Sequence, residues 1–345
     1  MTTEIIQLCP LIPALEEELA QRFTVHRLFE AADKAAFLSE KGAAIRGVVT
    51  GGHIDLPADI GAALPNLEIV AINGVGFDKV DLAEAKRRGF RVSNTPDVLT
   101  ADVADLALGL VLAQARKLPQ ADQHVRTGQW LKGDMGLSTR VAGRRYGIFG
   151  LGRIGQAIAK RLEGFDARIS YTARNRRDVP YDYHDSIEAL AANCDVLIIA
   201  AAATAETRHI VNADVLKALG PQGVLVNVAR GSLVDEKALV EALSSGTIGG
   251  AALDVFEDEP RVPEALFAFE NVTLAPHVGS GTHQTRRAMA DLVLANLDAH
   301  FAGKEAPHTC RVMDKQLTVA VKRCSRCSRM RLTTNSYNSR FSAIK

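Results

Sequence analysis

The sequence predicts an α/β protein built on a doubly wound parallel sheet, and three observations carry that prediction. Short apolar runs of strand type alternate with segments of helical period along most of the chain. A G-x-G-x-x-G motif stands where one such strand gives way to a helix. Six strand candidates lie between residues 145 and 278, which is the number a doubly wound dinucleotide-binding sheet requires.

Taken in order, "EIIQLCPL" reads as the first strand, followed by the helix-period segment "PALEEELAQRF" and then by strands "TVHRLFE", "IRGVVTGG" and "LEIVAI". "TADVADLALGLVLAQARKL" reads as a long helix with Thr100 as its N-cap, and Asp102 and Asp105 complement its dipole. The six later strands are "RYGIFG", "RISYTA", "VLIIAA", "GVLVNVA", "GGAALDVF" and "VTLAPHV". The final helix, "TRRAMADLVLANLDAHF", sets Met289, Leu292, Val293 and Leu297 on one face for core or interface packing.

Composition narrows the class. At 345 residues the chain fits two domains, or one domain with a large insertion, and its 47% apolar and 23% charged content excludes wholesale disorder. No uninterrupted apolar run is long enough to span a bilayer. The N-terminal "MTTEIIQLCP" has no basic region ahead of an apolar core, so no secretory leader is expected. Five scattered cysteines make no disulfide framework, and the expected location is the cytoplasm. Cys9 and Cys194 sit in apolar strand contexts and read as small buried hydrophobes.

The net charge of +1 conceals a split: residues 311–345 hold nine Lys/Arg and one Asp, leaving 32 basic and 39 acidic residues in the body. A mildly acidic body suggests neither a nucleic-acid nor a membrane partner. The basic tail has no apolar period and reads as disordered or aberrant. Its Cys324 and Cys327, with His308 and Cys310 nearby, make a zinc site conceivable, but a single CxxC is a weak signal and no metal is expected.

In "YGIFGLGRIGQAIAKRLEGF", Gly150, Gly152 and Gly155 allow a pyrophosphate to approach the backbone at a helix N-terminus; the alternative is a tight turn with glycines for packing alone. An acid that reads the ribose of NAD belongs about 20 residues beyond the first glycine. Here Thr172 and Ala173 are followed by Arg174, Asn175, Arg176 and Arg177. Guanidinium groups match a 2′-phosphate where a carboxylate repels it, so NADP(H) is the expected cofactor. The competing reading is a solvated basic loop.

Three later stretches, "NVARGSLVDE", "ALDVFEDEP" and "APHVGSGTH", place ionisable groups at strand ends, where an open α/β sheet binds ligands. Hydride chemistry at such a site needs a cation for a substrate carboxylate and carbonyl, an acid for the forming alkoxide and a partner that tunes the acid. Arg230, His277 and Glu259 supply these in turn, with Glu259 expected to favour the protonated imidazole. Their alternatives are a surface ion pair for Arg230, one acid among several for Glu259 and a capping role for His277.

These residues resemble the D-2-hydroxyacid dehydrogenase family over about residues 40 to 305. The ordered markers are "NGVGFDKVD", "VSNTPDVLTADVADLALGL", "GLGRIGQAIAKRL", "ETRHIVN", "NVARGSLVDEKAL", "GGAALDVFEDEP" and "LAPHVGSGT". The branch most similar is the glyoxylate/hydroxypyruvate reductases, with the related hydroxyphenylpyruvate reductases. The resemblance implies Arg230, Glu259 and His277 as the catalytic set and the backbone of Gly74, Val75 and Gly76 as the cradle of the substrate carboxylate. It also matches Arg153, Ile154, Thr207, Val228, Ala229, Asp254 and Ser280 to cofactor-contacting positions, with Asp254 near the nicotinamide amide. The implied fold is a Rossmann-type domain, residues 98–285, inserted into a flavodoxin-like substrate domain of residues 1–97 and 286–310, with 311–345 as the tail. A homodimer joined through the cofactor domains is implied, with "QHVRTGQWLKG" in the arm that reaches the partner and Trp130 as an interface anchor.

A dinucleotide-sensing regulator of the corepressor type is the competing class; phosphoglycerate and formate dehydrogenases share the fold but differ in an added regulatory domain and in the glutamate partner. Two departures from the family pattern stand out. The cofactor loop lacks an acid, and "FAGKEAPHTCRV" runs into the basic tail where relatives return to the substrate domain. His53 reads either as a crevice residue or as a surface loop histidine, and His209 as a loop-positioning residue. Exchanging Arg174 for Asp is expected to lower kcat/KM with NADPH and raise it with NADH; an unchanged ratio of the two would refute the phosphate reading.

Overall fold

Among the residues described by this computed structural model, which are 2–54, 56–304 and 307–310, two wholly parallel sheets carry the fold. The basic tail and the Cys324/Cys327 pair lie outside the described residues.

The first sheet has the order β2-β1-β3-β4-β5, from strands β1 (Glu4–Gln7), β2 (Thr24–Arg27), β3 (Ile45–Gly51), β4 (Ile69–Asn73) and β5 (Arg91–Ser93). This is the flavodoxin-like order. The second has the order β12-β11-β10-β9-β6-β7-β8, from β6 (Arg145–Phe149), β7 (Arg168–Thr172), β8 (Asp182–Tyr183), β9 (Val196–Ile199), β10 (Val224–Asn227), β11 (Gly250–Leu253) and β12 (Val272–Leu274). Read from β8 inward, the chain winds outward in both directions from β6 and β9, as a doubly wound sheet does. Two strands went unforeseen. β5 has three residues and β8 two, too few for an apolar period to register.

Helices cover both faces of each sheet, which is why the central strands read as continuous apolar runs without alternation. All four residues of β9 and of β10 are buried. On the second sheet, α5 (Thr100–Ala115) and α7 (Arg153–Glu163) pack one face through Ala104, Leu108, Val111, Ile158 and Leu162. The opposite face takes α8 (Ile187–Ala192), α9 (Ala213–Leu219) and α10 (Glu236–Ser244) through Leu190, Val215, Leu216 and Leu239. On the first sheet, α1 (Pro13–Arg22) and the last helix, α11 (His283–Phe301), bury Leu15, Leu19, Ala290, Val293 and Leu297 against Val49, Ile69 and Ala71.

Three expectations change. Thr100 is the first residue of α5 rather than its cap: Leu99 takes the N-cap position, without a side-chain hydrogen bond. Asp102 does lie in the first turn, but its carboxylate also accepts a hydrogen bond from Thr282 Oγ1 at the start of α11, so it ties two helices together. On α11, Met289, Val293 and Leu297 are buried as expected, whereas Leu292 is half-buried and Asn296 is buried in its place.

The third change concerns the end of the described chain, which does return to the first sheet. Thr309 forms an antiparallel bridge with Ser93, Asn94 N donates to His308 O at 3.2 Å, and Cys310 N donates to Val92 O at 2.7 Å. Asn296, 1% exposed, holds this segment: its Nδ2 donates to Asn94 O (3.2 Å) and its Oδ1 accepts from His308 N (3.1 Å). Replacing Asn296 with Leu leaves buried polar groups without partners, and the expected loss is about 2 kcal/mol of unfolding free energy by urea denaturation.

Candidate active site

The glycine motif is dictated by close backbone approach. Gly150 follows β6 with φ 99°, and a Cβ there would lie 2.5 Å from Ala201 Cα, just beyond β9. A Cβ on Gly155 would collide with Gly150 O. Gly152 differs: it is the N-cap of α7, makes no side-chain cap, and faces open space. The first N–H groups of α7 therefore open onto the switch point between β6 and β9, a cradle that fits a pyrophosphate.

Arg153 and Ile154 open the same helix. Arg153 Nε lies 2.7 Å from Asp97 Oδ1 at the surface, and Ile154 packs partly into the core. Beyond β7, Thr172 Oγ1 lies within hydrogen-bonding distance of His184 O (2.9 Å) and Ser186 O (3.0 Å), so this side chain serves the fold. Arg174, Asn175 and Arg176 follow it, exposed. The Tyr171 hydroxyl fixes the loop by accepting from Arg177 N at 2.7 Å, and the Arg176 guanidinium sits 5.9 Å from the Tyr183 ring centroid. Thr207 lies in the turn after β9, where its Oγ1 accepts from Thr204 N at 2.8 Å; Val228 and Ala229 follow β10, and Ser280 lies in the turn before α11. Cofactor candidates from five segments thus gather at the carboxyl ends of the second sheet.

Arg230 leaves β10 at that same end. Its Nη1 donates to Ala229 O at 2.7 Å, and its Nη2 reaches Gly52 O at 3.5 Å. Nε is 3.3 Å from Asp78 Oδ1 yet misaligned, so it pairs by charge without a hydrogen bond. At Gly76 a Cβ would fall on the Arg230 guanidinium and displace it, and a Cβ on Gly74 would come within 2.8 Å of Gly52 Cα. The Gly74–Gly76 loop of the first sheet and Arg230 of the second therefore meet. Asp78, inside the quoted "NGVGFDKVD", was not singled out in the sequence; its signal was an acid two residues beyond a glycine pair.

Glu259 and His277 also come together: Glu259 Oε2 lies 2.7 Å from His277 Nδ1, while Glu259 Oε1 accepts from Phe256 N at 3.0 Å. Burial raises the Glu259 carboxyl, but the hydrogen bond and charge of His277 with the Phe256 N–H outweigh it and hold the group below its ordinary value. His277 has φ 53°, uncommon for a non-glycine residue. Asp254 imposes it. This carboxylate is 1% exposed and accepts from Val278 N (2.8 Å) and Gly279 N (2.9 Å), while its backbone oxygen accepts from His277 N. Burial pushes the Asp254 carboxyl up against those two bonds. Its oxygens are thus already engaged by the His277 loop.

His53 resolves toward the crevice: its ring centroid is 5.8 Å from that of His277. One edge is open to solvent, yet the surrounding protein desolvates the ring, and this, with the neighbouring His277, lowers its pKa. His209 positions a loop, its Nε2 lying 2.9 Å from Glu257 Oε1. Cys9 and Cys194 are buried, and burial pushes the Cys194 thiol up to about 12.

Comparison with known proteins agrees with this geometry. Residues 108–279 match the family described as D-isomer specific 2-hydroxyacid dehydrogenase, NAD binding domain. The chain is 51% identical over 301 residues to glyoxylate/hydroxypyruvate reductase A of Arabidopsis thaliana, covering 87% of this chain and 96% of the relative. It has the same identity and coverage with the hydroxyphenylpyruvate reductase of Plectranthus scutellarioides. Among solved structures, the NADPH-dependent glyoxylate/hydroxypyruvate reductase of Sinorhizobium meliloti, in complex with NADP and malonate, superposes with a TM-score of 0.86 at 48% identity, covering 90% of this chain and 97% of that one.

The Glu259–His277 pair gives a signed pH expectation. A lowered Glu259 pKa contributes stability that is complete above its ordinary value of 4.5 and is lost as pH falls through the lowered one. The Tm difference between the protein and its Glu259→Gln variant is expected to narrow as pH falls below the ordinary value of 4.5. A constant difference would contradict the assignment.

Proposed function

Since the chain belongs to the D-isomer specific 2-hydroxyacid dehydrogenase family, we propose that it reduces small 2-oxo acids, glyoxylate and hydroxypyruvate foremost, to D-2-hydroxy acids with NADPH. The observation that carries the reading is the 2.7 Å contact of Glu259 with His277 Nδ1 in a crevice shared with Arg230 and the Gly74–Gly76 loop.

The glycine cradle at Gly150, Gly152 and Gly155 holds the cofactor pyrophosphate, and Arg153, Ile154, Thr207, Val228, Ala229 and Ser280 border it. Arg174 and Arg176, with Asn175 between them, would hold the 2′-phosphate of the cofactor. When bound, the cofactor supplies two electrons and a hydrogen to the carbonyl carbon. The chain's own residues do the rest. Backbone N–H groups of Gly74, Val75 and Gly76 hold the substrate carboxylate, and Arg230 neutralises it and polarises the carbonyl. His277 gives its Nε2 proton to the carbonyl oxygen while Glu259, on Nδ1, orients the ring and stabilises the imidazolium. Asp254 acts one step behind, by setting the backbone that aims His277.

The two-sheet architecture supports a substrate-binding domain of residues 1–97 and 286–310 around a cofactor domain of residues 98–285. A homodimer is supported by the apolar arm after α5, where Trp130 is 63% and Leu131 95% exposed, more than an isolated subunit is expected to leave in water. A cytoplasmic location is supported by the cysteines, free among the described residues. Among those residues no helix is long and apolar enough to cross a membrane. Hydroxyphenylpyruvate is the second substrate reading, because the plant hydroxyphenylpyruvate reductase is as similar as the glyoxylate/hydroxypyruvate reductase.

The test is a kcat/KM panel of glyoxylate, hydroxypyruvate, phenylpyruvate and hydroxyphenylpyruvate, following NADPH absorbance. Glyoxylate and hydroxypyruvate are expected to lead. Loss of the general acid in His277→Ala should cost about a hundred- to ten-thousand-fold in kcat, whereas Arg230→Ala should act mainly on kcat/KM. Normal turnover by a His277 variant would overturn the mechanism.

A further inference from the structure

One charged side chain at the crevice is left without a task by this mechanism. Arg286 lies one turn into α11 and is half-buried. Among the described residues it has neither an ion-pair partner nor a side-chain hydrogen bond, although other arginines of comparable burial, such as Arg88 and Arg161, engage carbonyls or carboxylates. Burial alone lowers its pKa, and no carboxylate offsets this. A partly desolvated guanidinium that no protein acceptor engages is available to a ligand that brings acceptors.

Its position follows from helix geometry. Residues 286, 290, 293 and 297 share one face of α11. Ala290, Val293 and Leu297 on that stripe pack on Ile69 and Ala71 of β4 and Val49 of β3. The far end of the stripe, Phe301, sits over Gly47 near the start of β3, so the helix runs antiparallel to the strands. Arg286 therefore lies one turn beyond Ala290, over the carboxyl ends of β3 and β4, and within electrostatic reach of His53, which also senses His277, Glu259 and Arg230. Asn73, the last residue of β4, continues the face of Ile69 and Ala71. It is 6% exposed, and its Oδ1 has no partner. The seam between α11 and β4 thus ends, at the crevice, in a buried oxygen without a partner on one side and a guanidinium bonded to no protein group on the other.

We propose that Arg286 is a specificity-determining residue which reads a polar substituent on C3 of the 2-oxo acid, the hydroxyl of hydroxypyruvate being the smallest that fits. The carboxylate and carbonyl are already served by Arg230, the Gly74–Gly76 loop and His277. What remains for a guanidinium on the α11 side is the end of the substrate farthest from the carboxylate. Glyoxylate has no such end, and its reduction does not need Arg286.

This inference rests on the proposed reductase activity, and one experiment separates the two. The full-length protein and its Arg286→Met and Arg286→Lys variants are assayed with NADPH on glyoxylate and on hydroxypyruvate, with cofactor binding followed by NADPH fluorescence. Arg286→Met is expected to lose at least about tenfold in kcat/KM on hydroxypyruvate, as the loss of a charged hydrogen bond predicts, while glyoxylate turnover and NADPH binding stay within about threefold. Arg286→Lys, which keeps charge but not the planar fork, should lie between. Equal losses on both substrates in the two variants, or no loss on either, overturn the proposal. An unsubstituted protein that reduces neither acid refutes the reductase reading instead.

Discussion

The site depends on a buried carboxylate bonded to backbone. Asp254 accepts from Val278 N and Gly279 N through its side chain and from His277 N through its carbonyl, at 2.8 to 2.9 Å. Three donors of one turn converge on a single residue just after β11, and these bonds hold the turn in which His277 takes its positive φ. The cost is a desolvated anion, offset by the N–H bonds that satisfy it. A carboxamide would present one acceptor where this turn requires two.

A second constraint is steric. The two sheets meet where a side chain is missing: Gly76 leaves room for the Arg230 guanidinium, and within the first sheet Gly52 and Gly74 let the loops after β3 and β4 approach closely. The same logic recurs at the cofactor cradle, where Gly150 allows β6 to pass beside Ala201 and Gly155 lets α7 close on Gly150. Substrate and cofactor crevices are thus defined by what the glycines omit, while the groups that react are carried on the strand ends around them.

Much of this was legible in the sequence, for physical reasons. Strands buried on both faces announce themselves as apolar runs, so β6, β7, β9, β10, β11 and β12 were all read, as was the glycine turn between β6 and α7. What escaped were features that depend on tertiary contact. β5 and β8 exist because a neighbouring strand pairs with them rather than through their own three or two residues. The bond from Thr282 to Asp102 at the start of α5 is likewise a tertiary contact, between residues 180 positions apart. The presence of Arg230, Glu259 and His277 could be read, but their meeting could not, since 29 and 18 positions of chain separate them and only the parallel topology returns each to one edge. Asp254 read as a cofactor residue, and its grip on the His277 loop is visible only in three dimensions.

The chain's return to β5 has a consequence for assembly. A border strand with idle amides and carbonyls is a template on which foreign strands add. Here Thr309 and Cys310 occupy that border, taking up Val92 O while His308 O takes the amide of Asn94. The four described residues after Ala306 therefore act as a selvedge on the woven sheet, and a chain cut short of them would present a sticky fringe to every other copy in solution.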